Sequence, residues 1–209
     1  YAMSGTGAGN GSTIANQINA GGVCYNSGAT CNGAASQVTA GTVSTTVLSL
    51  NKAFNLTSPR PEGTITRMTL TVTNQSANAL TNVAIADTLP TAAGGGQMRV
   101  ATPANASSTC GSPVITADAN STSVAMSGGT VPGRASNGTG TAGTCFLQVD
   151  VIAGPGVYNN TASVTGTETY ANGATHVVGP ASDSAPFTYN SSLSATKSFL
   201  PAAVSSGGK

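Results

Sequence analysis

Apolar residues return at every second position in one short segment after another. Met68, Leu70 and Val72 alternate with threonines in a strand that begins at Thr66, with Ile65 out of phase just before it. Val83, Ile85, Asp87 and Leu89 share one parity, as do Leu147, Val149 and Val151, and Ala162 with Val164. A period of two carried by Val, Ile, Leu and Thr marks a half-buried β-strand. Turn formers separate the runs, at residues 58–63, 74–78, 90–96, 128–129 (Gly128-Gly129), 131–133 and 154–156. No segment sustains a 3.6-residue apolar period with caps. Many short strands between such turns predict an all-β chain, an immunoglobulin-like β-sandwich.

Charge then narrows what such a sandwich can do. The chain has 209 residues, of which 7 are basic and 6 acidic, for a net charge of +1. At 6% charged there is no basic stripe to neutralise phosphates, so nucleic-acid binding is not expected. One histidine, His176, and the carboxylates Glu62, Asp87, Asp118, Asp150, Glu168 and Asp183 leave little material for acid-base catalysis, a metal centre or a cofactor. The expectation is a non-enzyme. No run of 18 apolar residues predicts a membrane span. Tyr1 opens inside a Gly/Ser/Thr-rich stretch without the charged and apolar regions of a signal peptide, which reads as a mature or excised piece.

An internal repeat divides the chain. Ser49-Leu50-Asn51-Lys52-Ala53-Phe54 returns 145 residues later as Ser194-Ala195-Thr196-Lys197-Ser198-Phe199, and Gly63 returns as Gly208 at the same offset. The predicted organisation is one complete repeat over residues 47–190. It is flanked by the C-terminal part of a preceding sandwich over 1–46 and the first strand of a following one over 191–209.

Four segments taken in order carry a family resemblance: Leu50-Asn51-Lys52-Ala53-Phe54, Leu70-Thr71-Val72-Thr73-Asn74, residues 80–90 with Asp87-Thr88-Leu89-Pro90, and Asn160-Thr161-Ala162-Ser163-Val164-Thr165-Gly166. Together they resemble the bacterial tandem surface repeat of the domain-of-unknown-function-eleven type. The resemblance covers residues 47–166 well and the flanks in part. It implies immunoglobulin-like sandwiches strung along large secreted or surface-anchored adhesin proteins, and it implies no activity.

The strand parities make one further prediction. Leu50, Lys52 and Phe54 share a face, and their apolar character turns that face inward. Asp87 goes inward with Val83, Ile85 and Leu89, and Asn160 with Ala162 and Val164. A lysine, a carboxylate and an asparagine in an apolar interior are the ingredients of an autocatalytic isopeptide cross-link, here from Lys52 to Asn160 with Asp87 shuttling the proton, joining the first strand to the last. Burial favours the neutral amine and the neutral acid. The same placement also suits a buried Lys52–Asp87 ion pair hydrogen-bonded to Asn160, or a lysine that snorkels to the edge. Lys197 repeats the position of Lys52 in the next repeat.

Four cysteines, an even number in an apparently secreted chain, favour two disulfides, Cys24 with Cys31 and Cys110 with Cys145. The second pair would staple two strands or a long excursion. No Cys-x-x-Cys occurs, so no zinc is expected, and Asp118, Asp150, Glu168 and Asp183 lack the spacing of a calcium loop. His176 reads as an exposed hairpin residue. The leading function is structural: a repeat of a long extracellular bacterial protein forming a stalk, sheath or filament at the cell surface. Its partners would be neighbouring repeats or copies of itself, with the segment 193–200 able to act by strand addition. The alternative is an adhesin module for a glycan or host surface, with Tyr25, Tyr158, Tyr170, Tyr189 and Phe187 as the available aromatics.

Overall fold

The structure, a computed structural model, describes residues 12–14, 43–45, 47–135, 140–192, 195 and 197. Strands β1 (Ser12–Ile14) and β2 (Val43–Thr45) pair antiparallel with one another. Then follow β3 (Leu48–Phe54), β4 (Arg60–Pro61), β5 (Thr66–Asn74), β6 (Leu80–Thr88), β7 (Met98–Val100), β8 (Ser107–Ser108), β9 (Val114–Thr116), β10 (Ser123–Val131), β11 (Gly143–Ala153), β12 (Gly156–Thr169) and β13 (Thr175–Asn190). One sheet runs β4-β13-β12-β6-β10-β9, and the other runs β3-β5-β11-β7 with β8 also on β11. Among the seven longest strands, the first, second and fifth (β3, β5, β11) share one sheet. The third, fourth, sixth and seventh (β6, β10, β12, β13) share the other. That is the immunoglobulin-like arrangement, with the fourth strand beside the third rather than the fifth.

Period two in the sequence becomes the inner faces of the two sheets. Met68, Leu70 and Val72 of β5 and Leu147, Val149 and Val151 of β11 are wholly buried, opposite Val83 and Ile85 of β6 and Ala162 and Val164 of β12. β5 does begin at Thr66, and Ile65, out of phase, stays exposed. Tyr158, Phe187 and Tyr189 extend this core, with Phe54 edge-on to Phe187 at 5.0 Å between ring centres. Truncating one such residue, as in Leu70→Ala, costs about 2–5 kcal/mol through lost transfer energy and the cavity left behind.

Two glycine positions depart from the simple alternation. Gly128-Gly129, expected to be a turn, lies inside β10, where the pairing to β6 slips between Met126 and Gly129 and again between Gly129 and Val131. A left-handed Gly128 (φ 70°) bends the strand without ending it, as a bulge does. In β13 the register against β12 slips by one residue between the pairs Val164–Ala181 and Gly166–Val178. Gly179 sits at the slip with φ 100°, and a Cβ there would come within 2.7 Å of the Val164 carbonyl. The extra residue reverses the phase of the strand. Val178 faces inward before the slip; Ala181, Asp183, Ala185, Phe187 and Tyr189 face inward after it.

The short connection between β8 and β9 is tied to β11 by a disulfide from Cys110 to Cys145, with 5.0 Å between their Cα atoms. Cys24 and Cys31 lie outside the described residues, as does most of the segment 193–200.

Candidate functional site

Lys52, Asp87 and Asn160 meet in the middle of the sandwich. Lys52 comes from β3, at the edge of one sheet, because its parity with Leu48 and Leu50 carries it to the buried face. Asp87 comes from β6 and Asn160 from β12, neighbouring strands of the other sheet. Ala162 is the register partner of Asp87, so Asn160, one inward step along β12, stands diagonally across from the carboxylate, within side-chain reach. Among the described strands Asn160 is therefore on the penultimate one. The expectation that it belongs to the last strand fails because the 16-residue β13 follows.

Both ionic side chains are fully enclosed. The Lys52 Nζ donates to Asp87 Oδ2, and the same oxygen accepts from Asn160 Nδ2 at 3.4 Å. Met68 reaches in from β5 and places its sulfur 3.4 Å from Asn160 Nδ2. Two acceptors in this enclosure, Asp87 Oδ1 and Asn160 Oδ1, have no donor. A buried acceptor without a donor forfeits its hydration with no return, at about 1–3 kcal/mol. Desolvation pushes the Lys52 amine below its ordinary value, against the opposing pull of Asp87 and then Asp183. It pushes the Asp87 acid above its ordinary value, against the pull of Lys52 and Asn160. Both shifts point toward a neutral amine beside a neutral acid. The amine is a nucleophile in that form, and the acid can give a proton to an amide and take one back.

Sequence parity did not single out Asp183, although it belongs to the site. Its Oδ2 accepts the backbone N–H of Lys52 at 2.7 Å, across the seam between β3 and β13. Counting inward by twos from Tyr189 and Phe187 reaches Asp183, whereas counting from Val178 misses it because of the slip at Gly179.

The other charged residues are arranged differently. Asp150, opposite Arg67 in the β11–β5 register, accepts from Arg67 Nε at 2.8 Å and Nη2 at 3.1 Å and from Asn105 Nδ2 at 2.7 Å. The Arg67 hydrogen bonds hold the Asp150 acid below its ordinary value. Glu168 is buried at the end of β12, where it accepts from Ser76 Oγ and, at 3.0 Å, from Asn78 Nδ2. His176 sits opposite Glu168 in the β12–β13 hairpin and is half-buried rather than exposed. Among the described residues no three His, Cys, Asp or Glu side chains are grouped to hold a metal ion, and no helix is long and apolar enough to cross a membrane. Tyr158, Tyr189 and Phe187 are core residues, which removes them from any exposed aromatic platform; Tyr25 lies outside the described residues.

No curated protein matches the chain. Among solved structures, BcpA, the major pilin subunit of Bacillus cereus, aligns with a TM-score of 0.45 and 10% identity over 69% of this chain, and the chain spans 41% of that subunit. The collagen-binding domain from a Staphylococcus aureus adhesin aligns with a TM-score of 0.40 and 11% identity, over 70% of this chain and 99% of that one. A cohesin module from a Clostridium perfringens family 33 glycoside hydrolase gives the same figures, 0.40, 11%, 70% and 99%. The family that matches bears a different name from the eleventh domain of unknown function: residues 48–183, from the start of β3 to Asp183, match the family described as Domain of unknown function (DUF7933), and the chain belongs to it.

Proposed function

We propose that this chain is a non-enzymatic, load-bearing module of a longer extracellular bacterial protein, and that its sandwich is closed by an intramolecular isopeptide bond between Lys52 and Asn160. The observation that supports this reading is the enclosure of Lys52, Asp87 and Asn160 in a core that leaves two acceptor oxygens without donors. An ion pair alone does not account for the asparagine, whose amide oxygen gains nothing there. Acyl transfer does.

The steps balance. A proton passes from the Lys52 ammonium to the Asp87 carboxylate, leaving a neutral amine and a neutral acid. The amine attacks Asn160 Cγ while the acid polarises the amide. The new Nζ–Cγ bond forms, the Cγ–Nδ2 bond breaks, and Asp87 carries the proton shed by Nζ to Nδ2, which departs as ammonia. No external substrate or cofactor takes part. The product ties β3, the edge strand of one sheet, to β12 in the interior of the other, so a pull on the chain meets a covalent bond between sheets.

The same reading assigns residues 47–190 to one repeat, with 1–46 and 191–209 belonging to its neighbours. It gives Lys197 the place of Lys52 in the next repeat, and puts the array in a stalk, sheath or filament at the cell surface. Kinship with the domain-of-unknown-function-eleven repeats is part of that proposal.

Intact-mass measurement of the folded protein tests it. The native chain is expected to be lighter than its sequence by about 17 Da, one ammonia, for the single Lys–Asn condensation, beyond any loss of hydrogens at the disulfides. Lys52→Ala, Asp87→Ala and Asn160→Ala are each expected to lack that loss. A folded native chain that retains the ammonia overturns the reading.

A further inference from the structure

Accepting the cross-link reading, we propose that Asp183 is a positioning residue for bond formation: its carboxylate grips the backbone of β3 at Lys52 and fixes the depth at which the amine meets Asn160.

Three observations carry this. Among the described residues β3 is an edge strand that pairs with β5 alone, in the register Lys52–Leu70. The Lys52 N–H points away from β5, into the seam between the sheets, where an edge strand would otherwise present it to water. Asp183 Oδ2 takes that N–H at 2.7 Å, so the residue that must deliver the nucleophile is held by the opposite sheet through its own peptide group. The grip is built in by the strand's geometry. Asp183 faces inward because β13 gains one residue at Gly179, where the left-handed backbone (φ 100°) and the closeness of the Val164 carbonyl suit only glycine. One inward step from Lys52, Phe54 meets Phe187, so β3 and β13 are also joined by apolar contact, but that contact does not set the position of a peptide N–H.

Asp183 carries a charge as well as an acceptor. The charged groups facing Lys52 are Asp87 from β6 and Asp183 from β13; Met68 of β5 and Asn160 of β12 bring none, and β3 has no other ionisable side chain. The Lys52–Asp87 pair has the same number of protons as an ion pair or as a neutral pair, so the reaction is fastest between the pH at which the pair gains a proton and the pH at which it loses one. A negative charge at Asp183 favours the protonated lysine and holds both limits at higher pH. Grip and charge therefore act separately, and two substitutions separate them. Asp183→Asn keeps an acceptor oxygen and removes the charge. Asp183→Ala removes both.

The experiment uses the full chain, synthesised cell-free into concentrated urea so that it has not folded, then diluted into buffers spanning the pH range. Samples are quenched with acid and the intact mass is read against time. The native chain is the internal control: if it never loses ammonia, the cross-link itself is refuted, whatever Asp183 does. With the native chain reacting, Asp183→Ala is expected to react about tenfold or more slowly, since a hydrogen bond to a charged group is lost and small displacements of a nucleophile are expensive. Asp183→Asn is expected to react within about threefold of the native rate, with both limbs of the pH profile moved to lower pH. A purely structural aspartate would not produce that pair of results. A native rate in Asp183→Ala overturns the proposal. Asp183→Leu, which keeps the side-chain volume without an acceptor, serves the same test if the alanine variant does not fold, and a native pH profile in Asp183→Asn overturns the charge effect alone.

Discussion

Among the described residues, Lys52–Asp87 and Arg67–Asp150 are both cation–carboxylate pairs, one between the sheets and one within a sheet, and they behave in opposite ways. Lys52–Asp87 crosses from one sheet to the other through the core, with both side chains shut away from water. Arg67–Asp150 lies on the outer face of one sheet, cross-strand between β5 and β11, with the arginine side chain 35% exposed. In the outer pair the hydrogen bonds dominate: Asp150 is held below its ordinary value and Arg67 above. In the inner pair desolvation dominates, and the directions reverse for both members. The chemical partners are alike, so the difference comes from the medium. A pair that water can reach keeps its charges; a pair that water cannot reach is drawn toward exchanging them for a neutral acid and a nucleophile.

Removing one carboxylate from each pair breaks the comparison most forcefully. On the proposed cross-link reading, Asp87→Ala strands Lys52 in a dry core and leaves the bond unformed, and removing one partner of a buried pair costs about 3–5 kcal/mol. The loss of a tie enclosing the chain from residue 52 to 160 adds to that, about 4–5 kcal/mol if it follows the chain entropy of a disulfide loop of similar size. Asp150→Ala leaves Arg67 to water and costs far less. Urea unfolding of the two variants, compared at one pH with the native chain, checks the order. Equal losses would mean that the inner pair is neither dry nor cross-linked in solution.

The pH dependence sharpens the contrast in sign. In Lys52→Met the amine is gone, no bond forms, and Asp87 is left in the core with its acid raised by burial. A raised carboxylic acid binds its proton more tightly in the folded than in the unfolded state. The variant's stability should therefore fall as pH rises from the ordinary carboxylate value of about 3.9 through the higher folded value. Asp150 contributes with the other sign. Its depressed acid gives stability that is present above the ordinary value and lost as pH falls through the folded one. Denaturation midpoints of Lys52→Met near pH 2, pH 4 and pH 7, with and without Asp150→Asn in the same chain, separate the two slopes: the Asp87 effect falls between pH 4 and pH 7 and the Asp150 effect below pH 4. A midpoint in Lys52→Met that rises steadily with pH would show that Asp87 is solvated there.

The inner site was legible in the sequence to an unusual degree, because period two is a count and a count survives without coordinates. Lys52 could be read from Leu50 and Phe54, Asp87 from Ile85 and Leu89, and Asn160 from Ala162 and Val164, since each sits in an uninterrupted run. Asp183 was hidden by the slip at Gly179, which reverses the count between Val178 and Ala181. Gly128-Gly129 misled in the same way, since a glycine pair signals a bulge within a strand as readily as a turn between two. The burial of Glu168 was out of reach for a different reason. Its donors Ser76 and Asn78 come from the β5–β6 connection, and how a connection folds over the end of a sheet is not written in strand periodicity. The order of the sheets had the same limit: parity told which way Asn160 faced but not that another long strand would follow.

The smallest expected effect belongs to the outer pair itself. Arg67 makes a two-point contact with Asp150, and Asn105 offers the same carboxylate a third donor at 2.7 Å. Arg67→Ala therefore leaves Asp150 partly satisfied and open to water. The arginine reaches water although Asp150 is largely covered; a pair open to solvent from one side contributes about 1 kcal/mol or less, and the difference between native chain and variant should shrink further in molar salt, where the screening length falls to about 3 Å. The inner pair should show no such response, because salt does not enter the core. Thermal unfolding of Arg67→Ala at low and high salt measures the first. A loss above about 2 kcal/mol that persists in salt would place Arg67–Asp150 in the same class as Lys52–Asp87, and the distinction by access to water would have to be abandoned.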